Sequence, residues 1–298
     1  MKYVVDYNVK KKYGGFIPTS LITYKMLAND DVYKDYGKRL DALMGDEIPI
    51  RRVIGGNVKQ RGGGKLGTDY DLSKINSLLA RFLIKKFTMQ NDLILDPFLN
   101  RGEIGIVANV LKRHFKGIDI SKLYVDFVNK RWDTLLKEKN EMIKPNYSFD
   151  VSLGDATLMT GIKDNSIDDI ITSPPYWYME IYNDVPGELS HYKKYKDFLI
   201  EYEKFIKRAY EVMKPLDIGD YKHFFVIITG NVRGRKGFTI PFTNHTQRLA
   251  VKHGFKLWDE IIYVRKEMAT VFTYKREEVM KRVKRVHETV SIFVKVDK

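Results

Sequence analysis

The chain has 298 residues, of which 44% are hydrophobic, and this length and composition suit one large globular domain, with or without an appendage. It has 52 basic and 38 acidic residues, and the net charge of +14 suits either a polyanionic partner or plain solubility. No apolar run reaches the roughly 18 residues of a membrane span and no secretory signal is visible, so a cytoplasmic location without membrane contact is expected. The absence of cysteine excludes disulfides, thiolate metal sites and reactions that need an attacking thiolate, such as methylation at C5 of cytosine.

The N-terminal part of the chain differs in composition from the rest. We predict a small appendage over residues 1–72 and a main domain over residues 73–298. Within the appendage, the stretch 51–65 combines five glycines with five basic residues, namely Arg51, Arg52, Lys59, Arg61 and Lys65. Glycine permits close backbone approach, and arginine and lysine contact phosphates. The stretch is therefore either a DNA-contacting loop that becomes ordered on binding or a solvated linker.

The main domain begins with a pattern typical of a nucleotide-binding unit. A helix with Ser73 as its N-cap is followed by a short apolar strand at 93–95, a glycine-containing loop at 96–105 and an apolar helix at 106–111. The loop lacks the Gly-Lys-Ser/Thr sequence that binds phosphates. It therefore suits a ligand without phosphates, such as S-adenosylmethionine.

Acidic residues end the next two predicted strands. Asp119 lies at the end of a strand over 115–121, and Asp155 follows a strand over 147–153. An acid at the first position can bind ribose hydroxyls, and one at the second can accept a hydrogen bond from an adenine amino group. A single acid after a strand is commonly only a helix cap, but acids at successive strand ends indicate a shared site.

The fourth strand, over 168–172, ends abruptly in the run Ser173-Pro174-Pro175-Tyr176-Trp177. Proline fixes φ and donates no N–H, so the two prolines form a stiff loop at the sheet edge where open α/β sheets bind ligands. There the Ser173 hydroxyl and the Pro174 carbonyl can each accept an N–H from the exocyclic amine of a base, and Tyr176 can stack on a base flipped out of a duplex. The alternative is a proline turn that merely closes a strand.

The remainder of the chain is predicted to complete the sheet, with helices over 198–213 and 243–253 and strands over 223–229, 257–264 and 290–295. A polar loop over 180–188 follows the proposed pocket and is a candidate lid. A second glycine-rich basic loop over 230–237 contains Arg233, Arg235 and Lys236. The stretch 265–285 is also strongly basic, which suits either DNA contact or a solvated helix face.

Taken together, these motifs resemble the amino-group DNA methyltransferases, and most closely the stand-alone DNA modification methylases common in phages and mobile elements. The resemblance rests on Asp96-Pro97-Phe98 with Gly102, Asp119, Gly154-Asp155, Ser173-Pro174-Pro175-Tyr176 with Glu180 and Tyr182, Gly230-Asn231-Val232-Arg233 with Lys236-Gly237, and Lys284-Arg285, His287 and 292–295. It covers roughly residues 14–298, and the first seventy match weakly.

The resemblance implies a Rossmann-like class I S-adenosylmethionine-dependent methyltransferase: an α/β fold with a mostly parallel sheet flanked by helices, acting on double-stranded DNA in a bacterial or phage-infected cell without a metal. Catalytic residues would be Ser173, Pro174, Pro175 and Tyr176. Cofactor-binding residues would be Asp96, Pro97, Phe98, Asn100, Gly102, Asp119, Ile120, Asp155, Ala156 and Ser173. DNA-binding residues would be Arg51, Arg52, Lys59, Arg61, Lys65, Arg233, Arg235 and Lys236. Serine before the prolines favours N4 of cytosine over N6 of adenine.

Three positions depart from the family pattern. Asn100 replaces a usual glycine, Glu103 replaces a small residue and puts a negative charge near the cofactor's carboxylate end, and Asn231 replaces a usual acid. Two rival functions stay open. One is methylation of RNA guanine or of a protein amide, although those families usually place asparagine or aspartate where this chain has Ser173. The other is a methyltransferase fold retained as a DNA-binding module.

Overall fold

A computed structural model describes residues 21–23, 27, 51–54, 57–60, 75–177, 180–181, 187–233, 238–264 and 287–296. An eight-stranded sheet organises this part of the chain, formed by β1 (Leu21–Thr23), β4 (Leu93–Asp96), β5 (His114–Asp119), β6 (Phe149–Leu153), β7 (Asp169–Thr172), β9 (Phe225–Thr229), β12 (Phe255–Val264) and β13 (His287–Lys295). Two small sheets contain the remaining described strands, β2 (Arg51–Ile54), β3 (Asn57–Gln60), β8 (Glu180–Ile181), β10 (Val232–Arg233) and β11 (Thr239–Ile240).

The strand order of the large sheet is β1-β12-β13-β9-β7-β4-β5-β6. Strands β6, β5, β4, β7 and β9 are mutually parallel, whereas β13 runs antiparallel to both β9 and β12. The chain leaves β4 toward β5 on one side and returns to β7 on the other, so the order reverses beside β4. A mostly parallel sheet with this switch point confirms the predicted Rossmann-like α/β fold class.

Helices cover both faces of the sheet. The described helices are α1 (Ser77–Phe87), α2 (Glu103–Val110), α3 (Lys122–Lys137), α4 (Tyr195–Val212) and α5 (Phe242–Lys252), with a 3₁₀ turn at Leu189–His191. Apolar residues of α1, α2 and α3 form one buried cluster, and those of α4 and α5 form a second on the opposite face. Because both faces are buried, the central strands read as continuous apolar runs rather than as alternating ones.

Two predictions about local structure are wrong. The first helix begins at Ser77, and its N-cap is Asn76, whose Oδ1 accepts from the backbone N–H groups of Leu78 and Leu79 at 3.0 and 3.3 Å. Ser73, the predicted cap, lies outside the described residues. Asparagine and serine are equally good N-caps, so capping preference alone does not decide which of the two begins the helix. Tertiary packing decides it.

The basic stretch that begins at Arg51 is the other difference. Residues 51–54 and 57–60 form an antiparallel hairpin rather than a loop, and β2 also pairs with β8, with Arg51 opposite Ile181 and Arg52 opposite Glu180. Residues 61–65 lie outside the described part of the chain. The N-terminal segment also supplies β1, the edge strand of the large sheet, which pairs in parallel with β12. The domain division at residue 72 stays a prediction.

Candidate active site

A cleft opens at the carboxyl ends of the central strands, beside the switch point of the sheet. It is lined by Pro97, Phe98, Asn100, Asp119, Ile120, Ser121, Tyr124, Asp155, Ala156, Thr157, Ser173, Pro175, Gly187, Glu188 and Leu189. The loops after β4, β5, β6 and β7 all contribute to it. Ligands of open α/β sheets bind in such a crevice.

Asp119 is held rigidly at the end of β5. Its Oδ2 accepts from the backbone N–H of Asn100 at 2.9 Å and its Oδ1 accepts from that of Ser121 at 2.9 Å. Burial raises the pKa of Asp119 to about 6, although these two hydrogen bonds act in the opposite direction. Each carboxylate oxygen has a further lone pair, so Asp119 can still accept hydrogen bonds from a ligand.

Asp96, at the end of β4, lies next to the cleft and holds two neighbouring segments together. Its Oδ1 accepts from the Thr172 hydroxyl at 2.7 Å and from the Phe98 backbone N–H at 3.2 Å. It lines a smaller cavity of about 270 Å³ that shares Phe98, Asn100 and Ser173 with the main cleft. Burial raises the pKa of Asp96 to about 7. Asp96 thus ties β4 to β7 just before the Ser173 loop.

The loop between β4 and α2 needs left-handed backbone at two positions. Asn100 has φ 47° and Gly102 has φ 77°, and asparagine is among the residues that best tolerate this region. The replacement of glycine by Asn100 is therefore compatible with the loop. At Gly102, the N-cap of α2, an added Cβ would lie 2.8 Å from Val128 Cγ1, so no larger residue fits without rearrangement.

Glu103 is less disturbing than its sequence position suggests. Arg101 and Glu103 are 2% and 4% exposed, and Arg101 Nε lies 3.8 Å from Glu103 Oε1. The buried guanidinium therefore offsets part of the negative charge. Glu103 stands in the first turn of α2, where it would repel a phosphate, which agrees with the absence of a phosphate-binding sequence.

The loop that follows β7 presents Ser173 and Pro175 to the cleft, while Pro174 is buried. Within the described part of the chain, the hydroxyl of Ser173 makes no hydrogen bond. A polar hydrogen-bonding group that faces a ligand cleft without a protein partner is available to a ligand. The structure places Ser173 on the same cleft as Asp119 and Asp155, and the catalytic role of Ser173 stays a prediction.

Tyr176 and Trp177 are both anchored, in different directions. The Tyr176 hydroxyl donates to Glu288 Oε1 at 3.4 Å, and its ring packs edge-on against Phe242 with centroids 5.8 Å apart. Trp177 Nε1 donates to the Tyr192 carbonyl oxygen at 2.7 Å. The two aromatic side chains therefore fix the C-terminal half of the loop against α4, α5 and β13.

Sequence reasoning missed part of the cleft. The turn before α4 closes over it: Gly187, with φ 89°, lies against Ile120 and Asp155, and Glu188 faces the cleft although it is only 5% exposed. Glu188 accepts from the Ser190 hydroxyl and lies 3.3 Å from His191 Nε2. The other lining residues that the sequence analysis did not identify are Ser121, Tyr124, Thr157 and Leu189. The predicted lid over 180–188 includes residues 182–186, which lie outside the described part of the chain, and its last acid, Glu188, is the signal in the sequence for this part of the cleft.

The predicted DNA-binding residues fall into two groups. Arg51, Arg52 and Lys59 belong to the hairpin that pairs with β8, the strand that follows the Ser173 loop. Arg233 belongs to β10, the strand that directly follows β9 in the chain. Arg61, Lys65, Arg235 and Lys236 lie outside the described residues. Asn231, in place of the family's usual acid, accepts from the Thr243 backbone N–H at 3.3 Å in the first turn of α5.

The fold and the cleft together define a Rossmann-like α/β domain with a ligand cleft at the switch point of its sheet. A family model described as DNA methylase matches residues 52–130. The chain is 44% identical over 54 residues to the type II methyltransferase M2.LlaDCHI of Lactococcus lactis subsp. cremoris, which is 18% of this chain and 20% of that protein. It is 42% identical over 64 residues to the type II methyltransferase M2.DpnII of Streptococcus pneumoniae, 22% of each.

Among solved structures, a SAM-dependent methyltransferase from Methanosarcina mazei aligns with a TM-score of 0.47 at 13% identity, over 72% of this chain and 98% of that chain. The curated matches span about a fifth of the length of the relatives. They confirm the resemblance of the chain to the amino-group DNA methyltransferases. In the described residues, no helix is long and apolar enough to cross a membrane, and no three acids or histidines are grouped to hold a metal ion.

Proposed function

We propose that the protein transfers a methyl group from S-adenosylmethionine to the exocyclic amino group of a base in double-stranded DNA. The observation that carries the proposal is the position of Ser173. Its hydroxyl lies on the wall of the same cleft that Asp119 and Asp155 line, so a methyl donor held by the acids would share this cleft with an amine held by the serine. The similarity to type II methyltransferases supports the same reaction class.

The residues of the cleft fit S-adenosylmethionine, which supplies, when bound, an electrophilic methyl group on a positively charged sulfur. Asp119, Asp155 and Glu188 make the cleft acidic, which favours a ligand with a sulfonium and an ammonium group. Asp119 would bind the ribose hydroxyls and Asp155 the adenine amino group. The remaining proposed cofactor residues are Asp96, Pro97, Phe98, Asn100, Gly102, Ile120, Ala156 and Ser173, and Glu188 joins them.

Ser173 and Pro174 would activate the amine. An exocyclic amine is a poor nucleophile because its lone pair is delocalised into the base. Each N–H that donates to the Ser173 Oγ or to the Pro174 carbonyl draws the nitrogen toward tetrahedral geometry, and the lone pair then becomes localised. These hydrogen bonds strengthen toward the transition state, so they would lower the barrier more than they improve binding.

Tyr176 would hold the target base after it leaves the duplex. The ring is fixed on one side by Phe242 and at its hydroxyl by Glu288, so it is preorganised for stacking. The finer target is N4 of cytosine in preference to N6 of adenine, a choice that rests on the serine at position 173 in the family resemblance. The appendage over residues 1–72 and the basic residues of both hairpins would contact the DNA backbone.

The decisive experiment is single-turnover transfer of labelled methyl to duplex DNA by the parent protein and a Ser173→Ala variant. We expect the variant to transfer about 10- to 1000-fold more slowly with similar DNA affinity, since Pro174 still offers its carbonyl. Transfer at the parental rate would reject the role of Ser173. If the parent transfers no methyl to DNA of any base composition, yet binds it, the protein is a DNA-binding module.

A further inference from the structure

The two walls of the cleft belong to different pairs of strands, because β4 and β7 separate at the switch point. Strand β4 pairs with β7 as far as Leu95, which lies opposite Ile170. The next residue of β4, Asp96, lies opposite β5, whereas Thr172 at the end of β7 lies opposite β9. Among the described strand pairs, the backbone ladder between β4 and β7 therefore ends just before the cleft begins.

The proposed sites for the methyl donor and for the amine lie on opposite sides of this separation. The loop after β4 is fixed to β5, because the Leu99 backbone N–H donates to the Ile118 carbonyl at 3.0 Å and that of Asn100 donates to Asp119 at 2.9 Å. The loop after β7 carries Ser173, and the two aromatic residues of that loop are anchored on α5 and on the turn before α4. The distance between donor and amine therefore depends on how the two loops are held together.

A hydrogen bond between two buried side chains crosses the separation. Thr172 Oγ1 donates to Asp96 Oδ1 at 2.7 Å, and the two residues are 0% and 3% exposed. Thr172 directly precedes Ser173, and Asp96 directly precedes Pro97 and Phe98, which line the cleft. Asp96 Oδ1 also accepts from the Phe98 backbone N–H at 3.2 Å. The bond therefore joins the residue before the proposed catalytic serine to the start of the proposed cofactor loop.

Resting on the proposed function, we propose that Thr172 is a positioning residue that sets the distance between the Ser173 hydroxyl and the methyl donor through its hydrogen bond to Asp96. Thr172 itself touches neither substrate. Transfer needs reacting atoms about 3–3.5 Å apart, and a displacement of about 1 Å can slow an enzyme about 100-fold. A hydrogen bond between buried groups resists such a displacement, because water cannot replace it.

The first test measures single-turnover transfer of labelled methyl at saturating S-adenosylmethionine and duplex DNA. Thr172→Val nearly keeps the shape of the side chain but cannot donate a hydrogen bond. Its transfer rate should fall about 10- to 100-fold, while the dissociation constants of both substrates change less than threefold. Thr172→Ser retains the hydroxyl and should transfer within threefold of the parental rate. Thr172→Cys, a weaker donor, should lie between the two and carries the test if the valine variant does not fold.

The matched control is Thr88→Val. Thr88 is also buried, and its hydroxyl donates to the Ile84 carbonyl and accepts from Arg113 Nε, both at 2.8 Å. Arg113 directly precedes β5, so Thr88 lies at the other end of the parallel strands from the cleft. The control should lose stability in thermal unfolding and keep the parental transfer rate. The same result for Thr172→Val would show that Thr172 is merely structural and would overturn its positioning role.

A second measurement needs neither turnover nor ligand. Burial raises the pKa of Asp96 to about 7, the hydrogen bonds from Thr172 and Phe98 act in the opposite direction, and the charges of Asp119 and Glu103 add to the rise. Thr172→Val should therefore raise the pKa of Asp96 further in carbon-13 NMR of labelled aspartate carboxyls, and Thr172→Ser should not.

The outcomes separate the positioning role from the proposed function. An unchanged pKa of Asp96 in a folded Thr172→Val variant, or a parental transfer rate in that variant, would overturn the role of Thr172 and leave the proposed function intact. A parent protein that transfers no methyl to DNA would overturn the proposed function, and the positioning role with it.

Discussion

Asp119 offers the sharpest test of the cleft, because its carboxylate has two separable tasks. It accepts the backbone N–H groups of Asn100 and Ser121, each at 2.9 Å, and it faces the ligand. Asp119→Asn keeps the shape of the side chain but replaces one of its two acceptor oxygens by an NH2 group, which is a donor. One of the two backbone N–H groups, that of Asn100 or that of Ser121, then faces a donor instead of an acceptor. The loss of one charge-assisted hydrogen bond should weaken S-adenosylmethionine by about 1.5–3 kcal/mol, or about 10- to 150-fold.

The same change has a predictable effect on stability. Leaving one buried N–H without an acceptor costs about 1–3 kcal/mol. The buried carboxylate itself lowers the stability of the parent protein, since burial raises the pKa of Asp119 from 3.8 to about 6. An acid whose folded pKa is raised binds more protons folded than unfolded, so the free energy of unfolding falls as pH rises from about 4 to about 6. Asp119→Asn removes this loss of stability, because the amide does not ionise.

The assay is titration calorimetry with S-adenosylmethionine at pH 7.5, alongside thermal unfolding to show that the variant is folded. Asp126→Asn, an exposed acid on α3 that pairs with Lys122, is the matched control and should bind like the parent. The parent itself should bind more weakly below about pH 6, as Asp119 becomes protonated. Parental affinity in a folded Asp119→Asn variant, or affinity independent of pH between 5 and 7, would refute the assignment.

Three further outcomes are expected. Asp96→Asn should raise the free energy of unfolding by about 1–4 kcal/mol at pH 8 and leave it unchanged near pH 4. The reason is that burial raises the pKa of the parent carboxyl from 3.8 to about 7, so the folded parent loses stability as the pH rises between these values. Equal gains at pH 4 and pH 8 in chemical denaturation would contradict this. Glu188→Gln should weaken the binding of S-adenosylmethionine about 3- to 30-fold more than that of S-adenosylhomocysteine, which lacks the sulfonium charge, in calorimetry. The exposed Glu138→Gln should weaken the binding of neither ligand, and an equal loss for both ligands would mean that Glu188 does not sense the sulfonium charge. Replacing Arg51 and Arg52 by glutamine should reduce the log–log salt slope of DNA binding by about 1.8, and a parental slope would show that both charges only solvate the surface.

The sequence by itself determined the central strands of the sheet and which polar residues follow them. The apolar runs before Asp96 and Ser173 predicted buried strands because both faces of a central parallel strand are covered, and the polar side chains follow those runs directly. The two prolines after Ser173 predicted the end of β7, since proline cannot continue the ladder. These are local effects, so residues close in sequence carry them.

Only the tertiary structure decided which distant segments meet at the cleft. Glu188 reaches the cleft because the turn before α4 packs on Ile120 and Asp155. The hairpin that begins at Arg51 joins β8, a strand far from it in the chain, because β2 pairs with β8. The pairing of Arg101 with Glu103 likewise depends on their common burial. Strand register and packing are set by contacts between residues far apart in the chain, whose combined free energy no local pattern records.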